Sequence, residues 1–427
     1  MEIRGVTIPL VISIIIASVF TFLLTPPSLT TYKFLGSTAT HGSITAEIVE
    51  TAPSGLDNPN IRNISDVVLE LLSGAENSID MEVYTIYASD YSPLSDIHSA
   101  LFSAATRGVQ IRILIDNGIY NDLYYSNKQL FDNILANENI QLKTSPWAMH
   151  SKVIIVDNQK CLVSSANLSW SAMTSDREIA IYVYGEEFGK ALEDIFETGW
   201  YGVENSTEFP TGWTIDWIKP VATPTGTPTW TPRTLDVITD LIDSATKTIH
   251  VPVYAYSGYP YDLKYALDNA ADRKIEIRMI IDAEYSNLND FPILGDFGSN
   301  PTVQIKAANL PSYAVYHTKS IVVDGKRGYV GSANWSNASM TWRREIGVYF
   351  DDENLASALE EIFRRDWSSS YVDWVVEPSD NFLWLWFGLF SASMVGCILV
   401  SKFRRRKRKK RRREWVAELW ASSKEEL

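Results

Sequence analysis

The sequence predicts an α/β protein made of two duplicated lobes that share one central active site, with transmembrane helices on either side. Three observations carry this prediction. One eight-residue stretch occurs twice, as His150-Ser-Lys152-Val-Ile-Ile-Val-Asp157 and as His317-Thr-Lys319-Ser-Ile-Val-Val-Asp324. The strand and helix patterns around the two copies recur at nearly constant offsets. Long uncharged apolar runs stand near both ends of the chain.

The 427 residues suffice for two ordinary domains with substantial cores. Charge is unevenly placed. Residues 402–427 hold 12 Lys/Arg against 4 Asp/Glu, net +8, which leaves −22 of the total −14 on the remainder. An acidic body disfavours a broad polyphosphate-binding surface, although a local cationic site is compatible with it. Two cysteines, Cys161 in an expected core strand and Cys397 in an apolar segment, exclude a disulfide framework and a Cys-based metal site.

In chain order, residues 1–5 read as a short cytoplasmic N-terminus. Residues 6–25 follow as an apolar run about as long as a hydrocarbon core, a transmembrane anchor or a signal peptide. Residues 45–215 form the first lobe. A strand over Ile79–Tyr84, an amphipathic helix over Leu94–Thr106 and a strand over Val109–Ile115 lead to Asp116. Residues 216–233, with Pro220, Pro224, Pro228 and Pro232, read as a Pro/Thr-rich, extended and solvated linker. Residues 234–375 repeat the order: a strand over Ile249–Tyr254, a helix over Tyr261–Asp272 and a strand over Ile275–Ile281 ending at Asp282. Tyr254, Asp282 and His317 follow Tyr84, Asp116 and His150 by 170, 166 and 167 residues, which marks an internal duplication. Residues 382–400 form the second apolar run. In the basic tail, 401–427, eleven of the twelve residues Lys402–Arg413 are Lys or Arg. The positive-inside tendency places both termini in the cytoplasm and the catalytic body outside it, at the cell membrane.

The repetition extends beyond the first eight residues. Each Asp is followed, after six residues, by Ser164-Ser165-Ala-Asn167 or Gly331-Ser332-Ala-Asn334. Eleven residues beyond each Asn stands an acid preceded by arginine, Arg177-Glu178 and Arg344-Glu345. This pattern resembles the phospholipase D superfamily, whose signature is His-x-Lys-x4-Asp-x6-Gly-Ser-x-Asn in two copies. Ser164 departs from it by replacing the first Gly, a costly change if that position has φ > 0. The resemblance covers roughly residues 50–375.

The residue types suit phosphodiester cleavage without a metal or other cofactor. A neutral imidazole attacks phosphorus and splits one displacement into two. A second, protonated imidazole gives its proton to the leaving alkoxide and then activates water or an alcohol. The resemblance assigns the nucleophile to His150 and the acid to His317; the residues alone leave the two interchangeable. It gives Lys152, Lys319, Asn167 and Asn334 the task of holding the phosphoryl oxygens. Glu178 and Glu345 resemble carboxylates that accept from a histidine Nδ1, and Ser165 and Ser332 supporting hydrogen bonders. Asp157 and Asp324 read as structural orienters, since an anion beside phosphate is repulsive. Tyr84 and Tyr254 read as buried strand tyrosines, with lining the cleft as the other reading. Trp170 and Trp335 read as packing beneath the site, and His98 and His250 as ordinary core or polar residues.

These features imply a membrane-anchored phosphodiesterase working as a monomer, which hydrolyses or transfers phosphatidyl groups of a phospholipid through a phosphohistidine. The alternatives are an extracytoplasmic nuclease on single-stranded nucleic acid with the same chemistry, and a non-catalytic phosphate-binding membrane scaffold.

Overall fold

The computed structural model describes residues 34–202, 215–223, 225–257, 260–282 and 302–370. Both apolar runs and the basic tail lie outside these residues. Among the described residues no helix is long and apolar enough to cross a membrane.

The first lobe runs β1 (Thr38–His41), β2 (Ile44–Thr51), α1 (Ile64–Ser73), β3 (Ser78–Val83), α2 (Leu94–Thr106), β4 (Gln110–Ile115), α3 (Asn117–Leu123) and α4 (Lys128–Leu135). It continues through β5 (Ile140–Thr144), β6 (Lys152–Val156), β7 (Lys160–Ser164), α5 (Trp170–Thr174), β8 (Glu178–Tyr184) and α6 (Glu186–Tyr201). The second lobe runs β9 (Ile218–Ala222), α7 (Thr234–Asp243), β10 (Thr248–Val253), α8 (Tyr261–Asp272), β11 (Glu276–Ile281) and β12 (Val303–Ala307). It closes with β13 (Ser320–Val323), β14 (Arg327–Gly331), α9 (Asn337–Thr341), β15 (Ile346–Asp351) and α10 (Glu353–Ser369).

Each lobe is one mixed sheet. The strand order β1-β2-β8-β7-β6-β3-β4-β5 in the first matches β9-β15-β14-β13-β10-β11-β12 in the second, with β1 as an extra edge strand. Aliphatic runs in β4 and β6 suit strands covered on both faces, while β3 alternates Ile79, Met81 and Val83 with the buried Asp80 and Glu82. The amphipathic helices α1 and α2 pack with them into one core through Val68, Leu72, Ile97 and Leu101, and α7 and α8 do so in the second lobe through Ile238, Ile242, Leu263 and Leu267. Each such side chain, fully buried, contributes about 1.5–3 kcal/mol. The lobes meet where β7 and β8 pack against β14 and β15.

The reading of 216–233 as a solvated linker is corrected. Residues 218–222 are an edge strand, β9, antiparallel to β15 with Pro220 opposite Val348. An edge strand tolerates a missing N–H, so proline composition misleads here. Beyond it, Gly226 has φ +63°, and a Cβ there would lie 2.4 Å from the Trp147 ring. The Gly226 carbonyl accepts from Thr198 and from Arg344, so this segment is packed into the lobe junction.

Candidate active site

His150 precedes β6 and Lys152 opens it, while His317 and Lys319 both stand just before β13, Lys319 bridged to Val253. A spacing of two puts imidazole and ammonium on the same face of a strand. Each lysine Nζ donates to the carbonyl of its own histidine, at 2.5 Å for Lys152 and 2.6 Å for Lys319. Tyr84 and Tyr254, just beyond β3 and β10, stand edge-on to these histidines with ring centroids 4.6 and 4.7 Å apart. Each ring also lies 5.0 Å beneath its lysine Nζ. Both tyrosines are half-buried and pack on the histidine and lysine of their own lobe.

The lobes exchange their carboxylates. His150 Nδ1 lies 3.1 Å from Glu345 of the second lobe, and His317 Nδ1 lies 2.8 Å from Glu178 of the first. Ser332 donates to Glu345 and Ser165 to Glu178, both at 2.5 Å. A neutral imidazole that donates from Nδ1 carries its lone pair on Nε2.

Parallel bridges between Met149 and Arg344 and between Arg177 and Tyr316 bring each pair together. Arg344 N donates to Ala148 O and His150 N to Arg344 O, both at 2.8 Å; Arg177 and Val315–His317 repeat the arrangement.

The titratable groups of the two lobes act on one another. Burial pushes His150 down to about 3, with Lys152 and Lys319 adding to the effect and Glu345 opposing it. Burial and the same two ammoniums hold His317 well below its usual range. Burial lowers Lys152 strongly and brings Lys319 down to about 7. Burial also raises Glu178 to about 7 against the pull of Lys319. Glu345 stays below its usual value, because His150 and Lys152 outweigh its burial. Such convergence of desolvated, like-charged groups is a mark of functional sites.

Asn167 and Asn334 follow β7 and β14, and the amide oxygen of each is buried without a partner among the described residues. Asp157 and Asp324 are far from the histidines, at the opposite ends of β6 and β13, roughly 20 Å away by strand rise. They sit in tight hairpin turns at φ 53° and 55°, a conformation that Asp tolerates. Asp157 accepts from the backbone N–H groups of Glu76, Asn77 and Ser78, and Asp324 from those of Thr246, Lys247 and Thr248. These amides outweigh burial and hold both carboxylates below their usual range.

Ser164 and Gly331 both lie outside the positive-φ residues, so the expected backbone cost does not arise. The difference is steric: a Cβ at Gly331 would meet the Tyr329 hydroxyl at 2.4 Å, whereas the first lobe has Leu162 at the matching position. Trp335 is wholly buried, but Trp170 is 46% exposed and donates to Ser92 O, which corrects its reading as packing beneath the site. Leu168, not Trp170, is the equivalent of Trp335: Tyr87 N bonds Leu168 O as Ser257 N bonds Trp335 O. His98 is buried in α2, and His250 pairs with Glu360 at 2.7 Å.

Two buried arginines lock the junction. Arg344 donates to Glu82 at 2.5 and 3.1 Å and to Ile195 O, while Ser151 also donates to Glu82. Arg177 donates to Glu50 at 2.6 Å and to Asp366 at 2.9 Å. Glu82, Glu50 and Asp366 belong to no repeated motif and gave no signal in the sequence.

A family model described as "Cardiolipin synthase, PLD-like domain" matches residues 68–200 and 238–367, once on each lobe. The chain belongs to the phospholipase D superfamily. It is similar to phospholipase D Z of Dictyostelium discoideum, 25% identical over 396 residues, covering 77% of this chain and 90% of that one. It is also similar to the 5'-3' exonuclease PLD3 of Rattus norvegicus, 25% identical with 76% and 80% covered. The fold matches phosphatidylserine synthase of Haemophilus influenzae Rd KW20 with a TM-score of 0.60 at 11% identity, covering 76% and 87%. As a member of this superfamily the protein is an enzyme, a phosphodiesterase or phosphatidyltransferase.

Proposed function

We propose that the protein cleaves a phosphodiester through a phosphohistidine, with His150 as nucleophile and His317 as acid and base. The observation that carries this reading is the crossed pair of His–Glu contacts beside two desolvated lysines. His150 Nε2 attacks phosphorus, the bond to the leaving alkoxide breaks, and that oxygen takes the proton of His317. Water or an alcohol then attacks phosphorus, gives its proton to His317, and the P–N electron pair returns to His150. Lys152 and Lys319 hold the nonbridging oxygens, joined by Asn167 and Asn334. Burial, with Lys319 and Lys152 adding to it, lowers the pKa of His317; the negative charge of a bound phosphate acts in the opposite direction and favours the proton that His317 must donate.

As substrate we assign a phospholipid headgroup ester, with a monomeric enzyme held at the cell membrane, its body outside the cytoplasm and both termini inside. This reading draws support from the near full-length match to phospholipase D Z and from the apolar runs flanking the body. A second reading, cleavage of single-stranded nucleic acid, is favoured by exposed aromatics, Tyr87, Tyr91 and Trp170 on one lobe and Trp342 on the other. Labelled phosphatidylcholine and a labelled single-stranded oligonucleotide are incubated with the purified full-length chain. Release of the headgroup alone is the expected result, and cleavage of the oligonucleotide alone overturns the lipid assignment.

A further inference from the structure

The two histidines stand in different charge environments although their frames match. Residue 176 precedes Arg177 beside Val315–His317, and residue 343 precedes Arg344 beside Ala148–His150. The first is aspartate and the second is arginine, 167 residues apart as are the histidines themselves. Asp176 is buried, and its carboxylate accepts from Val315 N at 2.9 Å. Arg343 is only partly buried and makes no ion pair among the described residues. Its guanidinium lies 5.6 Å from the ring of Trp342, which is half exposed. It is close enough to Lys152 to lower that ammonium's pKa. A guanidinium without an ion pair among the described residues, next in the chain to the Arg344 that hydrogen-bonds Ala148 and His150 through its backbone, is placed to bind an anion bidentately.

We infer that Arg343 is a specificity-determining residue, which holds a second anionic group of the substrate next to the reacting phosphate on the His150 side, while Asp176 repels such a group from the His317 side. The substrate then lies across the pseudo-twofold site in one direction. The ligand chemistry is a phosphodiester bearing another acid within a few bonds, whether the carboxylate of an anionic lipid headgroup or a neighbouring phosphate. This rests on the proposal that the site takes phosphodiesters.

The test measures binding and turnover separately in the full-length chain. Thymidine 3',5'-bisphosphate is titrated against thymidine 5'-monophosphate by tryptophan fluorescence, in the wild type and in Arg343→Gln and Arg343→Lys. The bisphosphate is expected to bind about tenfold tighter to the wild type, a preference lost in Arg343→Gln and partly kept in Arg343→Lys. Phosphatidylserine against phosphatidylcholine turnover forms the lipid arm, and a preference confined to one arm identifies the source of the anion. An equal loss for both members of each pair in Arg343→Gln, or no preference in the wild type, overturns the inference. Failure of the wild type to hydrolyse bis(4-nitrophenyl) phosphate counts against the phosphodiesterase reading alone, because the nucleotide binding ratio needs no turnover.

Discussion

The two lobes share a strand order and a pair of motifs, yet they are filled and neutralised differently. Behind the site the second lobe packs Tyr256, Tyr329 and Trp335 where the first has Ile86, Leu162 and Leu168. The first lobe keeps a small cavity there, lined in part by Leu162, Leu168 and Lys152. Behind the sheets, Asp80 faces Arg112 in one lobe and His250 faces Arg278 in the other, at the same strand register. At the junction, Arg177 takes two carboxylates, whereas Arg344 takes one carboxylate and two carbonyls. Gly199 on α6 leaves room for Arg344 at the position that on α10 is Asp366, the partner of Arg177. Geometry at the histidines is retained, and the means of packing and charge balance around them has drifted. Duplication thus preserved the reacting atoms more strictly than their support.

The strongest way to break the apparent equivalence is to remove one imidazole at a time. His150→Asn and His317→Asn are each expected to lose at least about 10⁴-fold in kcat. Only His317→Asn should still form an acid-labile phosphoryl adduct, read by mass spectrometry after a brief acid-free quench. An adduct in His150→Asn and none in His317→Asn reverses the assignment.

The arginine locks come next. Arg344→Met leaves Glu82 buried and unpaired, which costs about 3–5 kcal/mol, and Arg177→Met strands both Glu50 and Asp366 and should cost more. Urea denaturation of both variants checks the order; equal losses would mean that the second carboxylate adds nothing.

His250 separates the lobes by pH. Burial works to lower its pKa, but Glu360 and Glu276 prevail and raise it to about 9. Since the folded value exceeds the unfolded one, its contribution is fully present below about 6.5 and is lost as pH rises through about 9. His250→Gln should therefore be less stable than wild type at pH 6, by up to about 3 kcal/mol, and should match it near pH 10. A thermal-melt difference that does not depend on pH would show the ion pair to be irrelevant.

The smallest effect concerns the motif asymmetry. Gly331→Ser pushes a Cβ against Tyr329 and should cost about 1–3 kcal/mol, while Ser164→Gly loses one hydrogen bond to Ala166 N, about 1 kcal/mol. Gly331→Ser combined with Tyr329→Leu should relieve only the clash with the ring in a melting experiment, because the added Cβ also meets Gly347 Cα at 2.7 Å.

Local pattern made much of this legible. The helices over Leu94–Thr106 and Tyr261–Asp272 follow from apolar periodicity, and the β-branched runs beside each His-x-Lys read directly as strands. The duplication was visible because its offsets are nearly constant. What was hidden depends on distant partners. Nothing near Glu345 says that it will meet His150 and not His317, and nothing around Glu82 marks it as the counterion of Arg344, 262 residues away. Pro220 concealed a strand because composition reports flexibility but not the edge position that makes a proline harmless. Trp170 misled because its place in the local sequence says nothing of the turn that sends it to the surface.

The exchange of carboxylates between lobes also has a consequence in time. A ribosome makes His150 long before Glu345, which lies 195 residues downstream. Until that late residue has been synthesised and folded into place, the early histidine lacks the group that orients it. A chain that stops before Glu345 holds His150 without the carboxylate that its Nδ1 meets in the folded protein.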